Sequence, residues 1–331
     1  MTRDDAIHAF LTGHGYGNAD IGPLAEDASF RRYLRVVRGG ETVVLMDAPP
    51  PEDVRPFLRI AEHLAELGLS VPTILAADAE AGLVLEEDLG DSLLAVMLDR
   101  GDDAVPLFGP AIDALIAMQR GEPPPGLPEW GAEQMTATAL GTLFDWWWPA
   151  TFGGPAPTAA REDVEAALRA MLAPVATGPV GFVHRDFFAG NLLWLPERDG
   201  RRRVGVIDFQ GAALGHPAYD LASLLQDARR VIPANVEEAM LQYYIERRPE
   251  LDADRFRAAY FACAAQRHLR VACQWVRLAL RDGKPGYLAF GSRTWALLKV
   301  ALAHPAVAPL AAALDRWIPA ERRGNPPGLA A

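Results

Sequence analysis

The stretch "GFVHRDFFAGNLLWL", Gly181 to Leu195, sets His184, Arg185, Asp186 and Asn191 inside a run otherwise apolar enough to be core. "FVH" and "NLLWL" read as short strands, and Ala189 and Gly190 give the chain room to turn between them. A carboxylate and an amide in such a turn need partners or a metal, because burying them unpaired is costly. "RRRVGVIDFQG", Arg201 to Gly211, follows with a basic turn, the strand candidate "VGVI" and then Asp208 at the strand end, where side chains commonly face a ligand cleft.

Phosphoryl transfer accounts for all three oxygen-bearing positions. A hydroxyl acceptor needs a carboxylate to orient it and take its proton, and nucleotide phosphates need a divalent metal held by oxygen ligands. Asp186 is the candidate for the first task; Asn191, five residues on, and Asp208 are candidates for Mg²⁺. His184 reads as support for the loop backbone, and Arg185 as a partner for an acid or a phosphate. The order aspartate, asparagine, strand-end aspartate is that of the protein-kinase catalytic template. The plainer alternative is a hydrogen-bonded turn and an unrelated cap aspartate, which requires the two motifs to fall in this order by coincidence.

Upstream the texture is strand-rich. "SFRRYLRVV" and "ETVVLMDAP" flank "RGG" as a hairpin, "DVRPFLRIAEHLAELG" carries Phe57, Ile60, Ala61, Leu64 and Leu67 on one helical face, and "TILAADAEAGLVLEEDLG" reads as two more strands ending at Gly90. Beyond Gly90 helical spacing predominates, through "FGPAIDALIAMQRG", "EDVEAALRAMLAP", "NVEEAMLQYYIERR" and a long segment from Ala253 to Gly283. "GEPPPGLPEWG" and "WWWPATFGGPAPT" read as ordered loops or lids around shorter helical pieces, and "ERRGNPPGLAA" as a frayed end. The expectation is an α+β chain in two lobes: a small β-rich lobe over residues 1–89 with a hinge near 86–90, and a larger, mainly helical lobe over 90–331.

Composition narrows the class. At 331 residues and 50 % apolar the chain can bury a large core, and its two cysteines suggest a reducing compartment rather than a disulfide framework. The opening "MTRDDAIHAFLTGHG" does not read as a signal peptide, and no apolar run reaches membrane-spanning length. A formal charge of -11 argues against a general nucleic-acid binder while leaving room for a local cationic pocket. A cytoplasmic, monomeric enzyme with small-molecule partners, no nucleic acid and no membrane, is the expectation.

The paired motifs resemble the aminoglycoside phosphotransferase and choline kinase-like superfamily, whose signature is His-x-Asp, four residues, Asn, followed by Ile-Asp-Phe or Ile-Asp-Trp. "DASFRRYLRV", "VVLMDAPP", "PFLRIAEHLAELGLSVPTILAAD", "LVLEEDLGD" and "AAQRHLRVACQWVRLALRDGKPGYL" extend the likeness over roughly residues 25–302 to the bacterial anomeric sugar kinases that act on N-acetylmuramate and N-acetylglucosamine. The resemblance implies a bilobal protein-kinase-like fold and ATP-dependent, Mg²⁺-dependent phosphorylation of the anomeric hydroxyl to the α-1-phosphate, in a cell-wall recycling route feeding UDP-sugar synthesis. It assigns catalysis to Asp186, metal to Asn191 and Asp208, and bracing of the catalytic loop to Asp220. The same superfamily leaves aminoglycoside, choline or ethanolamine, and homoserine kinases open as alternatives, and a non-catalytic nucleotide binder as a third class.

Two departures matter. In place of a compact Gly-rich phosphate loop stands "EDASFRRYLRV", so Ser29, Phe30 and their backbone would cover phosphate; the third strand, "VVLMDAP", has no lysine. Arg32 is then the nearest candidate cation, with Glu62 as its helical partner, or else a solvated strand residue. The resemblance places the adenine-binding hinge at Glu86, Glu87 and Leu89. Trp146, Trp147 and Trp148 are candidates for packing on a sugar, or for core; Arg267 and His268 are candidates for a sugar carboxylate, or for pairing with an acidic neighbour.

Overall fold

The computed structural model describes residues 2–26 and 31–329. The Thr2 hydroxyl accepts the Asp5 N–H while the Asp5 carboxylate accepts the Thr2 N–H, a capping box that starts α1 (Arg3–Gly13). Five antiparallel strands follow, β1 (Asp20–Glu26), β2 (Arg32–Arg38), β3 (Glu41–Asp47), β4 (Ile74–Asp78) and β5 (Leu83–Glu87), in the order β1-β2-β3-β5-β4. Gly39 and Gly40, both at positive φ, make the two-residue turn between Arg38 and Glu41, which matches the right-handed twist of the hairpin.

Strand alternation divides this sheet into two functional faces. Leu34, Val36, Val43, Leu45, Leu83 and Leu85 pack with Ile7 and Leu11 of α1. On the other face Met46 and Val84 pack with α2 (Arg55–Glu66) through Phe57, Ile60 and Leu64, while Tyr33, Val44 and Glu86 are left to line a cleft.

The remainder is mainly helical. It runs through α3 (Leu94–Asp99), α4 (Ala104–Arg120), β6 (Glu129–Trp130), α5 (Ala132–Thr142), a π-helical turn (Leu143–Trp147), α6 (Trp148–Phe152), α7 (Thr158–Met171) and α8 (Ala173–Ala176). The short strands β7 (Gly181–Val183), β8 (Leu192–Trp194), β9 (Val204–Val206) and β10 (Ala213–Gly215) carry the motif region. Then come α9 (Ala218–Leu225), α10 (Ala234–Glu246), α11 (Ala253–Arg281), α12 (Gly291–Leu302) and α13 (Ala308–Trp317). The fold is thus bilobal α+β, with α11, 29 residues long, as the buried axis of the larger lobe. No single helix among the described residues is long and apolar enough to cross a membrane.

The lobes are joined by more than the segment after β5. Phe57 of α2 stacks on Phe209, ring centroids 4.8 Å apart and nearly parallel. Ser70 donates to the Arg202 carbonyl at 2.6 Å and its own carbonyl accepts the Val206 N–H at 2.8 Å, so the chain between α2 and β4 is clamped to the β8–β9 hairpin.

Two sequence expectations need correction. "WWWPATF" continues the helix begun by α5, and only the "GGPAP" that follows is loop. The C-terminal "ERRGNPPGL" is packed rather than frayed: the Gly324 carbonyl accepts the Trp147 indole N–H at 2.8 Å, and the Asn325 amide donates to the Leu288 carbonyl at 2.9 Å. Asn325 sits so close over Gly291 that a Cβ there would collide with its side chain, so a glycine is required. Polar composition alone reads as solvated tail; here those polar groups are used to seal the end of the lobe.

Candidate active site

The turn between β7 and β8 is held by a closed set of hydrogen bonds. Asp220, fully buried on the first turn of α9, accepts the His184 N–H at 2.6 Å and the Arg185 N–H at 2.9 Å. Burial pushes its carboxyl up to about 7, against the opposing pull of those two N–H groups and of Arg267. His184 Nδ1 accepts the Asp186 N–H at 3.3 Å, so the ring proton resides on Nε2 and is donated to the Ile207 carbonyl at 3.0 Å. Burial lowers this imidazole to about 4, which keeps it neutral and both nitrogens occupied. His184 therefore ties the Asp186 loop to the strand that ends in Asp208 and has no lone pair left for chemistry.

Asn191 completes the link. Its amide nitrogen donates to the Asp186 carbonyl at 2.9 Å and to Asp208 Oδ2 at 3.3 Å, bringing the three residues to one point. Arg185 and Asp208 adopt φ of 75° and 62°, the left-handed region that costs a non-glycine residue of order 1 kcal/mol or more. The network around Asp220 and His184 holds the backbone in these conformations. Arg185 lays its guanidinium 4.2 Å over Trp130 and reaches the Gly211 carbonyl, so it braces the loop instead of pairing with an acid.

Asp186, Asn191 and Asp208 open on a cavity of about 840 Å³ between the lobes. One wall is the sheet face and the connection after β5, with Tyr33, Val44, Glu86, Glu87 and Leu89. Glu86 is buried, its Oε2 meets no donor, and burial pushes its carboxyl up to about 8. Glu87 turns partly outward, pairing with Arg198 at 2.6 Å and accepting from the Thr73 hydroxyl.

The opposite wall is cationic. Arg267, Arg270, Gln274 and Arg277 of α11, together with Arg229 from the segment after α9, face the cavity. Arg267 is buried with Nε and Nη1 lacking any hydrogen-bond partner, and Nε of Arg270 and of Arg277 is likewise unmatched. Arg270 is otherwise tied to Tyr219 and Gln274. Arg229 and Arg277 were not singled out from the sequence, although 267, 270, 274 and 277 recur at helical spacing and share one face of α11.

The remaining expected residues divide. Trp146 lines the cavity, whereas Trp147 and Trp148 are core, packed on Trp295 and on Phe144 and Phe152. The π turn sets which of the three faces inward. Arg267 reaches the cavity; His268, one helical step round, is fully buried against Gln226 at 2.7 Å and does not. Arg32 shares the parity of Leu34 and Val36, on the α1 side of the sheet, and there it and Arg3 both pair with buried Asp47. Glu62 is exposed on α2, so the structure does not bring Arg32 and Glu62 together. Ser29 and Phe30 lie outside the described residues.

Two oxygen-bearing residues at one point, Asn191 and Asp208, fit a hard divalent cation that takes its other ligands from nucleotide phosphates and water. The amide orientation leaves Asn191 Oδ1 with no protein donor among the described residues, available as a ligand. Among these residues no group of three or more His, Cys, Asp or Glu converges as a self-sufficient metal site.

A small β lobe, a helical lobe and this oxygen cluster between them define a phosphotransferase of the kinase fold. Residues 20–260 match the phosphotransferase enzyme family called APH, and the chain belongs to that family. It is 39 % identical to an N-acetylmuramate/N-acetylglucosamine kinase of Caulobacter vibrioides over 97 % of this chain and 98 % of that one. It is 35 % identical to the kinase of the same name from Pseudomonas aeruginosa, over 91 % of this chain and 90 % of the other. In fold it is similar to a choline/ethanolamine kinase family protein from Mesorhizobium loti, with a TM-score of 0.62 at 18 % identity, covering 95 % of this chain and 100 % of that one.

Proposed function

We propose that this kinase transfers the γ-phosphoryl group of ATP, with Mg²⁺, to the anomeric hydroxyl of N-acetylmuramate and N-acetylglucosamine, giving the α-1-phosphate. The observation that carries the reading is the pairing of the Asp186 loop with a wall of arginines across one cavity. Aminoglycosides and choline are cationic and would be repelled from such a wall, whereas a neutral or acidic sugar is accepted. The relatives named for these two sugars support the same choice.

In this reading the acceptor hydroxyl lies against Asp186, whose carboxylate orients it and takes its proton. An anomeric hydroxyl is more acidic than an ordinary alcohol, so positioning contributes much of the effect. Asn191 and Asp208 hold Mg²⁺, which neutralises charge on the transferring phosphates when bound. Adenine sits at the connection spanning Glu86 to Leu89, and Trp146 packs on the sugar. A role in cell-wall recycling in the cytoplasm follows from the substrate. Phosphorus NMR of the protein with Mg-ATP and each sugar is the test: an acid-labile 1-phosphate is expected, and a 6-phosphate, or turnover of cationic acceptors alone, overturns the assignment.

A further inference from the structure

Arg229 stands apart from the other arginines of the cavity. Its guanidinium lies 4.4 Å over Phe188, a residue of the turn between Asp186 and Asn191, and 5.3 Å over Trp275 of α11. Held between two aromatic faces, it is fixed in orientation while its N–H edge stays free, the geometry in which a guanidinium receives a carboxylate in a fork. Among the described residues its side chain makes no hydrogen bond and no ion pair; only its backbone N–H is engaged, with Asp227. Burial lowers its proton affinity, Asp227 and Asp186 act against that, and the neighbouring charge of Arg267 adds to it. Arg267, with two unmatched nitrogens, is near enough for its charge to act on Arg229.

The position argues for the acceptor rather than the nucleotide. Arg229 lies on the α11 side of the cavity, with Trp275, Gln274 and Tyr287, opposite the sheet face and the Glu86–Leu89 connection. It is nonetheless near enough to Asp186 to feel that charge, which places a bound anion beside the reacting hydroxyl.

Building on the proposed sugar kinase activity, we infer that Arg229, backed by Arg267, receives a carboxylate carried by the acceptor sugar and makes the enzyme select an acidic amino sugar over its neutral counterpart. N-acetylmuramate carries such a group on its lactyl ether, and N-acetylglucosamine does not.

The experiment measures kcat/KM for N-acetylmuramate, its uncharged carboxamide and N-acetylglucosamine, with the wild type and with Arg229→Gln. The wild type is expected to prefer the acid over the carboxamide by about 10- to 100-fold, the range for a hydrogen bond between charged groups. In Arg229→Gln that preference, and the ratio of acidic to neutral sugar, should collapse toward unity. Equal treatment of acid and carboxamide by the wild type overturns the inference, and that arm stands even if the variant fails to fold. A parallel fall for both sugars with the ratio unchanged also overturns it, and assigns Arg229 to the phosphoryl group. Failure of the underlying activity is distinguishable: neither sugar would be phosphorylated by the wild type.

Discussion

The two walls of the cavity are built in opposite ways. The turn from His184 to Asn191 is tied to the rest of the protein by its backbone and its imidazole: Asp220 takes two N–H groups, His184 uses both nitrogens, and Asn191 joins Asp186 to Asp208. On the α11 side, Arg267 carries two unmatched nitrogens and Arg270 and Arg277 one each, and among the described residues the Arg229 side chain makes no hydrogen bond or ion pair. A satisfied network fixes geometry, whereas an unsatisfied buried cation is stabilised by what binds to it. On the proposed reading the first wall positions the chemistry, and the second selects the molecule that undergoes it.

The sharpest way to break this contrast is to remove charge from the turn that is tied down. Asp186→Asn preserves size and much of the hydrogen bonding but not the basicity, and should cost about 10²- to 10⁴-fold in turnover. Equilibrium Mg-ATP binding and the thermal midpoint should stay near wild type. Retained turnover would make the turn structural only; parallel loss of binding and folding would do the same.

Asp220→Ala tests the network itself. It orphans the buried N–H groups of His184 and Arg185, and a stability loss of about 2–4 kcal/mol is expected in urea unfolding. Because those N–H groups hold Arg185 at positive φ, turnover should fall more than ATP affinity. An unchanged unfolding midpoint would show that the bonds are dispensable.

Glu86 gives the smallest and most specific effect. Its carboxyl ionises near 4.5 when exposed and at about 8 when buried in the fold. Between those values the folded chain holds the proton that the unfolded chain has lost, so stability declines as pH rises, by at most about 1.4 kcal/mol per pH unit. Glu86→Gln mimics the protonated form and abolishes this slope. Thermal or urea unfolding should show the variant close to wild type at pH 5 and more stable by about 1–3 kcal/mol at pH 8. A constant difference across that range would mean that Glu86 is paired and ionised.

Much of the wall that carries Asp186 was legible because it is local in sequence. Asp186 and Asn191 are five residues apart in one turn, and Asp208 ends the next strand of the same hairpin. The strands and most helices followed from alternation and helical spacing, as with Phe57, Ile60, Ala61 and Leu64, all buried on α2. The arginine wall was less legible. Arg229 lies in an irregular segment whose composition carries no signal, and it matters only because Phe188 and Trp275, 41 residues before and 46 after it, close around it.

By itself, the sequence determined the order of the lobes and the spacing of the oxygen-bearing residues, since short-range periodicity and turn chemistry are written into neighbouring positions. Only the tertiary structure decided which side of each element meets the cavity. Arg32 has the alternation of a strand residue, but α1 and not the cleft covers its face. Trp146, Trp147 and Trp148 are chemically equal, yet one π-helical turn sends a single indole to the cavity and two to the core. The physical reason is that a side chain's chemistry is carried by its own position, whereas its partner, or its lack of one, depends on segments far along the chain that packing brings to it.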